Sequence, residues 1–78
     1  MNKERTIRKL TQLKIEEPGI VAKVKLPAEQ ADRLDEMGLH IGSAVRVLTG
    51  TTNESILIAV GDSRIGVNFD VAQKIYVY

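Results

Sequence analysis

The stretch Arg33-Leu34-Asp35-Glu36-Met37-Gly38-Leu39, running on through His40-Ile41-Gly42-Ser43-Ala44-Val45-Arg46-Val47, holds the end of a helix, its stop signal and the start of a strand. Ala28, Ala31, Leu34 and Met37 recur at every third position, an apolar stripe that predicts a short amphipathic helix over about residues 28–38. Pro27 suits the start of such a helix. Glu29 places negative charge near the positive end of its dipole and lies four residues before Arg33, the order that favours an ion pair. Gly38 encodes the stop: as the left-handed residue past the helix, it makes Leu34 and Leu39 the apolar pair that meets across a Schellman cap. Leu34, Gly38, Leu39 and Gly42 therefore read as structural positions. Beyond Gly42, Val45 and Val47 share one strand face, with Arg46 and Leu48 on the other.

Working outward, Ile20, Ala22, Val24 and Leu26 alternate with Val21, Lys23 and Lys25, which predicts a strand whose first-named set is buried. Pro18-Gly19 before it reads as a turn, and Leu10 with Leu13 as a short edge strand leading into a loop through Ile15. Downstream, Gly50 to Ser55 reads as a loop and Ile56 to Val60 as a strand apolar on both faces. Gly61-Asp62 suits a two-residue type II′ hairpin into Arg64-Ile65-Gly66-Val67. Asp70 is placed to cap one helical turn through Ala72-Gln73, and Ile75 to Tyr78 forms a last strand. The fold class is thus mainly β, with five or six short strands and one helix inserted after the second. Closing the sheet into a small barrel hides its edges. The expected interior is Ile20, Ala22, Val24, Val45, Val47, Ile56, Ile58, Ile65, Val67, Ile75 and Val77.

The totals agree with one domain spanning residues 1–78, with residues 1–6 disordered. A chain of 78 residues has room for a single core, and 44% hydrophobic with 27% charged residues is the balance of a globular protein. Without cysteine there is neither a disulfide nor a thiolate metal site. The longest apolar run, Ile56 to Val60, is far below the ~20 residues of a membrane-spanning helix. The amino end leads into charged sequence and not into a secretory signal, so the chain reads as complete and cytoplasmic. A net charge of +1 gives no general drive toward nucleic acid. In the first 14 residues, however, Lys3, Arg5, Arg8, Lys9 and Lys14 stand against Glu4 alone. Such an arm is either a solvated terminus or a surface that lies against an anionic membrane, the other route to a membrane being through a partner.

The segment from Ala31 to Val47 resembles the signature of the FeoA family: Arg-Leu, then Met-Gly-Leu, then a glycine and a Val/Ile strand. Leu10, Leu13 and Gly19 resemble that family's opening, and Val71 to Val77 its ending. The resemblance implies an SH3-like barrel and a cytoplasmic accessory or adaptor role in bacterial ferrous iron uptake. Its implied partner is the GTPase region of a FeoB-type membrane permease. The same domain type ends the iron- and manganese-dependent repressors of the DtxR kind, so the alternative is a stand-alone metal-responsive regulatory domain. Residues Gly50 to Ser55 depart from the family's usual loop, which contains glycine or proline.

The chemistry on offer is that of binding and not of catalysis. His40 is the only histidine, so neither a Ser-His-Asp centre nor a site of several imidazoles can be assembled around a second ring. There is no phosphate-cradling Gly-x-x-x-x-Gly-Lys-Ser/Thr loop, and no enzyme activity or cofactor is expected. Arg33, Arg46 and Arg64 are nominal candidates for an arginine supplied to a partner GTPase; pairing with Glu29 explains the first and solvated strand faces the others. Asp32 and Glu36 are like charges four residues apart, and Asp35 and Glu36 sit at the helix end that repels anions, which marks either a cation site, a partner's basic patch or tolerated repulsion on a wet surface. Phe69, Tyr76 and Tyr78 lie outside basic runs, against nucleic-acid binding. Weak self-association through a sheet edge is a further option. The expected partner surface is Arg33, Asp35, Glu36, Met37, Leu39 and His40, around the helix end.

Overall fold

The computed structural model describes residues 6–50 and 55–78. The basic arm up to Arg5 and the loop residues 51–54 lie outside the described residues. In chain order the elements are β1 (Arg8–Lys9), a 3₁₀ turn (Leu10–Gln12), β2 (Pro18–Val24), α1 (Ala28–Glu36), β3 (Ala44–Gly50), β4 (Ser55–Val60), β5 (Ser63–Asn68), α2 (Phe69–Ala72) and β6 (Ile75–Val77). The strands form one antiparallel sheet in the order β1-β6-β2-β3-β4-β5. Mainly β architecture with one principal helix after the second strand is as the periodicity predicts.

One core serves the whole sheet. Val21 of β2, Val45 and Val47 of β3, Ile56, Ile58 and Val60 of β4, Val67 of β5, and Ile75 and Val77 of β6 meet in a single cluster. Strands far apart in the sheet order can share one cluster only if the sheet folds over on itself. Leu10, Leu13, Leu34, Leu39 and Ala72 fill it out from the turns and helices. Seven of the expected interior residues are buried: Val45, Val47, Ile56, Ile58, Val67, Ile75 and Val77. Val24 and Ile65 are partly buried against them.

β2 corrects the expected burial of Ile20 and Ala22. Val21, at 1% exposure, is the inward residue, and Ile20 and Ala22 are only partly covered. The cause is a bulge against β6: Val21 faces Val77 and Lys23 faces Tyr76, so one extra residue on β2 switches the alternation and returns Val24 to the core side. Pro18-Gly19 opens β2 instead of forming a turn. A Cβ at Gly19 would stand 3.2 Å from Leu13 Cδ1 and 3.3 Å from Val77 Cβ, so close approach of the chain selects glycine there.

The true turn is Lys14–Glu17, closed by a Glu17 N–H to Lys14 O bond of 3.0 Å, with Glu16 at φ 69° in its third position. That conformation is unusual for a residue other than glycine. It is over-determined: Glu16 N–H donates to Val47 O at 2.7 Å, Lys14 N–H to Glu17 Oε1 at 2.9 Å, and Arg46 Nη1 to Glu16 Oε1 at 2.6 Å. Arg8 Nη2 meets Glu17 Oε2 at 2.7 Å. Arg8 chiefly, and then the Lys14 N–H, hold the Glu17 carboxyl below its ordinary range. The expected edge strand at Leu10–Leu13 is instead the 3₁₀ turn, and β1 lies just before it.

The hairpin between β4 and β5 forms at Gly61-Asp62, with Gly61 at φ 60° and Asp62 not in the left-handed region, as a type II′ turn requires. α2 starts two residues earlier than expected, with Asn68 and not Asp70 at its cap position.

Candidate functional site

α1 ends as its last residues dictate. Met37 is the cap residue, Gly38 has φ 94°, Leu39 N–H donates to Leu34 O and Gly38 N–H donates to Asp35 O, both at 2.9 Å. These are the two bonds of a Schellman cap. Leu34 and Leu39 are both buried, at 8% and 1% exposure. The rest of the apolar stripe is less enclosed: Ala28 is exposed, Ala31 partly so, and Met37 is 42% exposed. Spacing by three turns each residue back by about 60°, so four such residues span half the helix circumference and cannot all face one core. The expected Glu29–Arg33 ion pair is not made; among the described residues the ion pairs within 4 Å are Arg8–Glu17 and Arg46–Glu16.

The loop after Gly38 is locked to the barrel. Ser43 Oγ donates to Gly38 O at 2.8 Å and accepts from His40 N–H at 3.0 Å. Ser43 N–H closes the turn onto His40 O at 2.9 Å, with Gly42, at φ 96°, in the third position. Gly42 N–H to Val21 O at 2.8 Å and Val21 N–H to Ser43 O at 2.9 Å stitch the turn to β2. Its tip carries Ile41, 65% exposed. His40 Nδ1 lies 3.0 Å from Ile41 O. A carbonyl can only accept, so Nδ1 is the donor in this contact.

The residues expected at a partner surface are divided by α1. Asp35 and His40 join Ile41 around an open groove of about 490 Å³, floored in part by Val24 and Leu39. Arg33 and Met37 border a second groove, of about 340 Å³, on the side facing β5 and α2. Glu36 is exposed and borders neither. Leu39 is buried and reaches the surface only as part of the first groove's floor; its part is to hold the cap. Asp32, Asp35 and Glu36 do not converge, and among the described residues no three His, Cys, Asp or Glu side chains gather to hold a metal ion. Among the described residues no helix is long and apolar enough to cross a membrane.

Ile41 and Ser43 went unnoticed in the sequence as functional positions. Ile41 falls between two glycines in a turn, where an isoleucine has no packing reason to be, and that was the available signal. Ser43 carries no such mark, because its partners are backbone atoms of the loop itself.

Known proteins share this arrangement. A crystal structure of an iron uptake regulatory protein (FeoA) superposes with a TM-score of 0.81 at 25% identity, over 94% of this chain and 96% of that one. FeoA of Stenotrophomonas maltophilia, crystallised with zinc and described as a procaryotic SH3 domain protein, gives 0.74 at 29% identity over 90% and 88%. A manganese-dependent transcriptional repressor gives 0.81 at 23% identity over 96% of this chain but 42% of its own, a likeness of fold. No curated protein sequence matches significantly. The FeoA domain family matches residues 8–78, from β1 through β6, and so covers the locked helix end as well as the sheet around it. The chain therefore belongs to the FeoA family, which is linked to ferrous iron transport.

Proposed function

We propose that the protein is a cytoplasmic accessory of ferrous iron uptake that docks its helix-end surface on the GTPase region of a FeoB-type permease. The observation that carries this reading is the exposed apolar pair Met37 and Ile41, held on either side of Gly38-Leu39-His40 by the bonds of Ser43. A rigid tip loses little conformational freedom on binding, and apolar anchors flanked by polar residues, Ile41 by Asp35 and His40 and Met37 by Arg33, suit the centre and rim of an interface. The role is one of binding, with no reaction assigned to the chain.

Titration of the isolated GTPase region into the folded protein, followed by calorimetry, tests it. Binding is expected, and Ile41→Asp with Met37→Asp should weaken it by about tenfold or more, since truncated central anchors dominate interface energies. Both side chains are exposed, so the fold should persist. Absence of binding by the unaltered protein would overturn the proposal.

A further inference from the structure

Among the described residues β5 is the last strand of the sheet, and only β4 lies beside it. The two pair in unbroken register from Ser55 opposite Asn68 to Val60 opposite Ser63. A two-residue hairpin makes Val60 and Ser63 a hydrogen-bonded pair. Antiparallel alternation then gives the same status to Ile58 with Ile65 and to Ile56 with Val67. Arg64, Gly66 and Asn68 are left with N–H groups directed away from β4, as are the carbonyls of Arg64 and Gly66. Proteins ordinarily blunt such an edge with proline, a bulge, charged side chains or a very short strand. Ser63-Arg64-Ile65-Gly66-Val67-Asn68 has no proline or bulge, is not very short, and carries Arg64 as its one charged side chain.

The edge opens on the second groove. Gly66, Val67 and Asn68 form one wall, and Gln30, Arg33 and Met37 of α1 the other. A Cβ at Gly66 would meet nothing within 4 Å, so the backbone can be approached closely there. Charge selects the occupant. Arg33 is the only charged residue among those lining the groove, Arg64 stands exposed on the same strand edge, and neither belongs to the ion pairs of the described residues.

We propose that the β5 edge and the facing side of α1 form a docking site for an extended acidic segment of a partner protein. It adds to β5 as a further strand, with carboxylates within reach of Arg33 and Arg64. Backbone bonds supply affinity and the arginines select the sequence. This site shares Arg33 and Met37 with the helix-end surface but is built on the β5 edge, and it does not depend on the permease.

The probe is a dye-labelled Glu-Val-Glu-Val-Glu-Val peptide, with Lys-Val and Glu-Pro repeats of equal length as controls. The Glu-Val peptide should bind, shift the Arg64, Gly66 and Asn68 amide resonances and slow their exchange, while both controls fail. Arg33→Glu with Arg64→Glu should weaken binding by about tenfold or more through like-charge repulsion. Gly66→Pro, which removes an outward N–H that an edge strand can spare, should abolish it. If that variant does not fold, the charge variant and the Glu-Pro control still decide. Equal binding of the Glu-Pro peptide, or no response at the three amides, would overturn the proposal. So would protection of those amides in peptide-free protein as it dimerises, which would assign the edge to a second copy.

Discussion

At Gly38 the backbone takes φ 94°, and two hydrogen bonds of 2.9 Å rely on it. Valine can hold that angle only with strain, so Gly38→Val should lower stability by about 1–3 kcal/mol, read from chemical denaturation. The space around the site is not the reason, for an added Cβ would come only within 3.9 Å of Val60 Cγ1. Glu17 makes a different residue-scale prediction. Its carboxyl is bound by Arg8 and by the Lys14 N–H, and its pKa is lower folded than unfolded. A group depressed in this way adds stability above its unfolded pKa, and that contribution disappears as pH falls through the folded value. Denaturation midpoints should therefore fall on acidification through the ordinary carboxylate range and below it. Glu17→Gln should flatten this part of the profile and lower the midpoint at neutral pH.

Among the elements, α1 is attached to the rest mainly through Leu34 and the cap. Leu34→Ala should cost about 2 kcal/mol, near the low end for a buried leucine because the site lies at the edge of the core. Amide exchange should show α1 losing protection while β3, β4 and β5 keep theirs; uniform loss would refute this attachment. The stop of α1 was legible because a Schellman cap is written in contiguous residues, Leu34 to Leu39. The inward face of β2 was not. Ile20, Ala22 and Val24 form an unbroken alternation, and only the pairing of Val21 with Val77 and Lys23 with Tyr76 reveals the bulge that divides it. The hairpin at Gly61-Asp62 again is local, and was read correctly down to its turn type. The strained turn at Glu16 was hidden because its supports, Val47 O and Arg46, come from β3.

For the molecule as a whole, the mainly β class and single core were legible from strand periodicity and chain length, and the family from the segment Ala31 to Val47. The candidate site was legible in part. Arg33, Asp35, Met37 and His40 were named from one contiguous stretch, but their division between two grooves depends on where β5 and β2 run in space. The open edge of β5 belongs to no local pattern; it exists because β4 is its only neighbour among the described strands. That order has one more effect. β6, the latest strand to be synthesised, lies between the two earliest, with Arg8 opposite Val77 and Val24 opposite Ile75. A nascent chain emerging from the ribosome holds β1 and β2 without the strand that joins them, the apolar side of β2 open to chaperones, until residue 77 clears the exit tunnel.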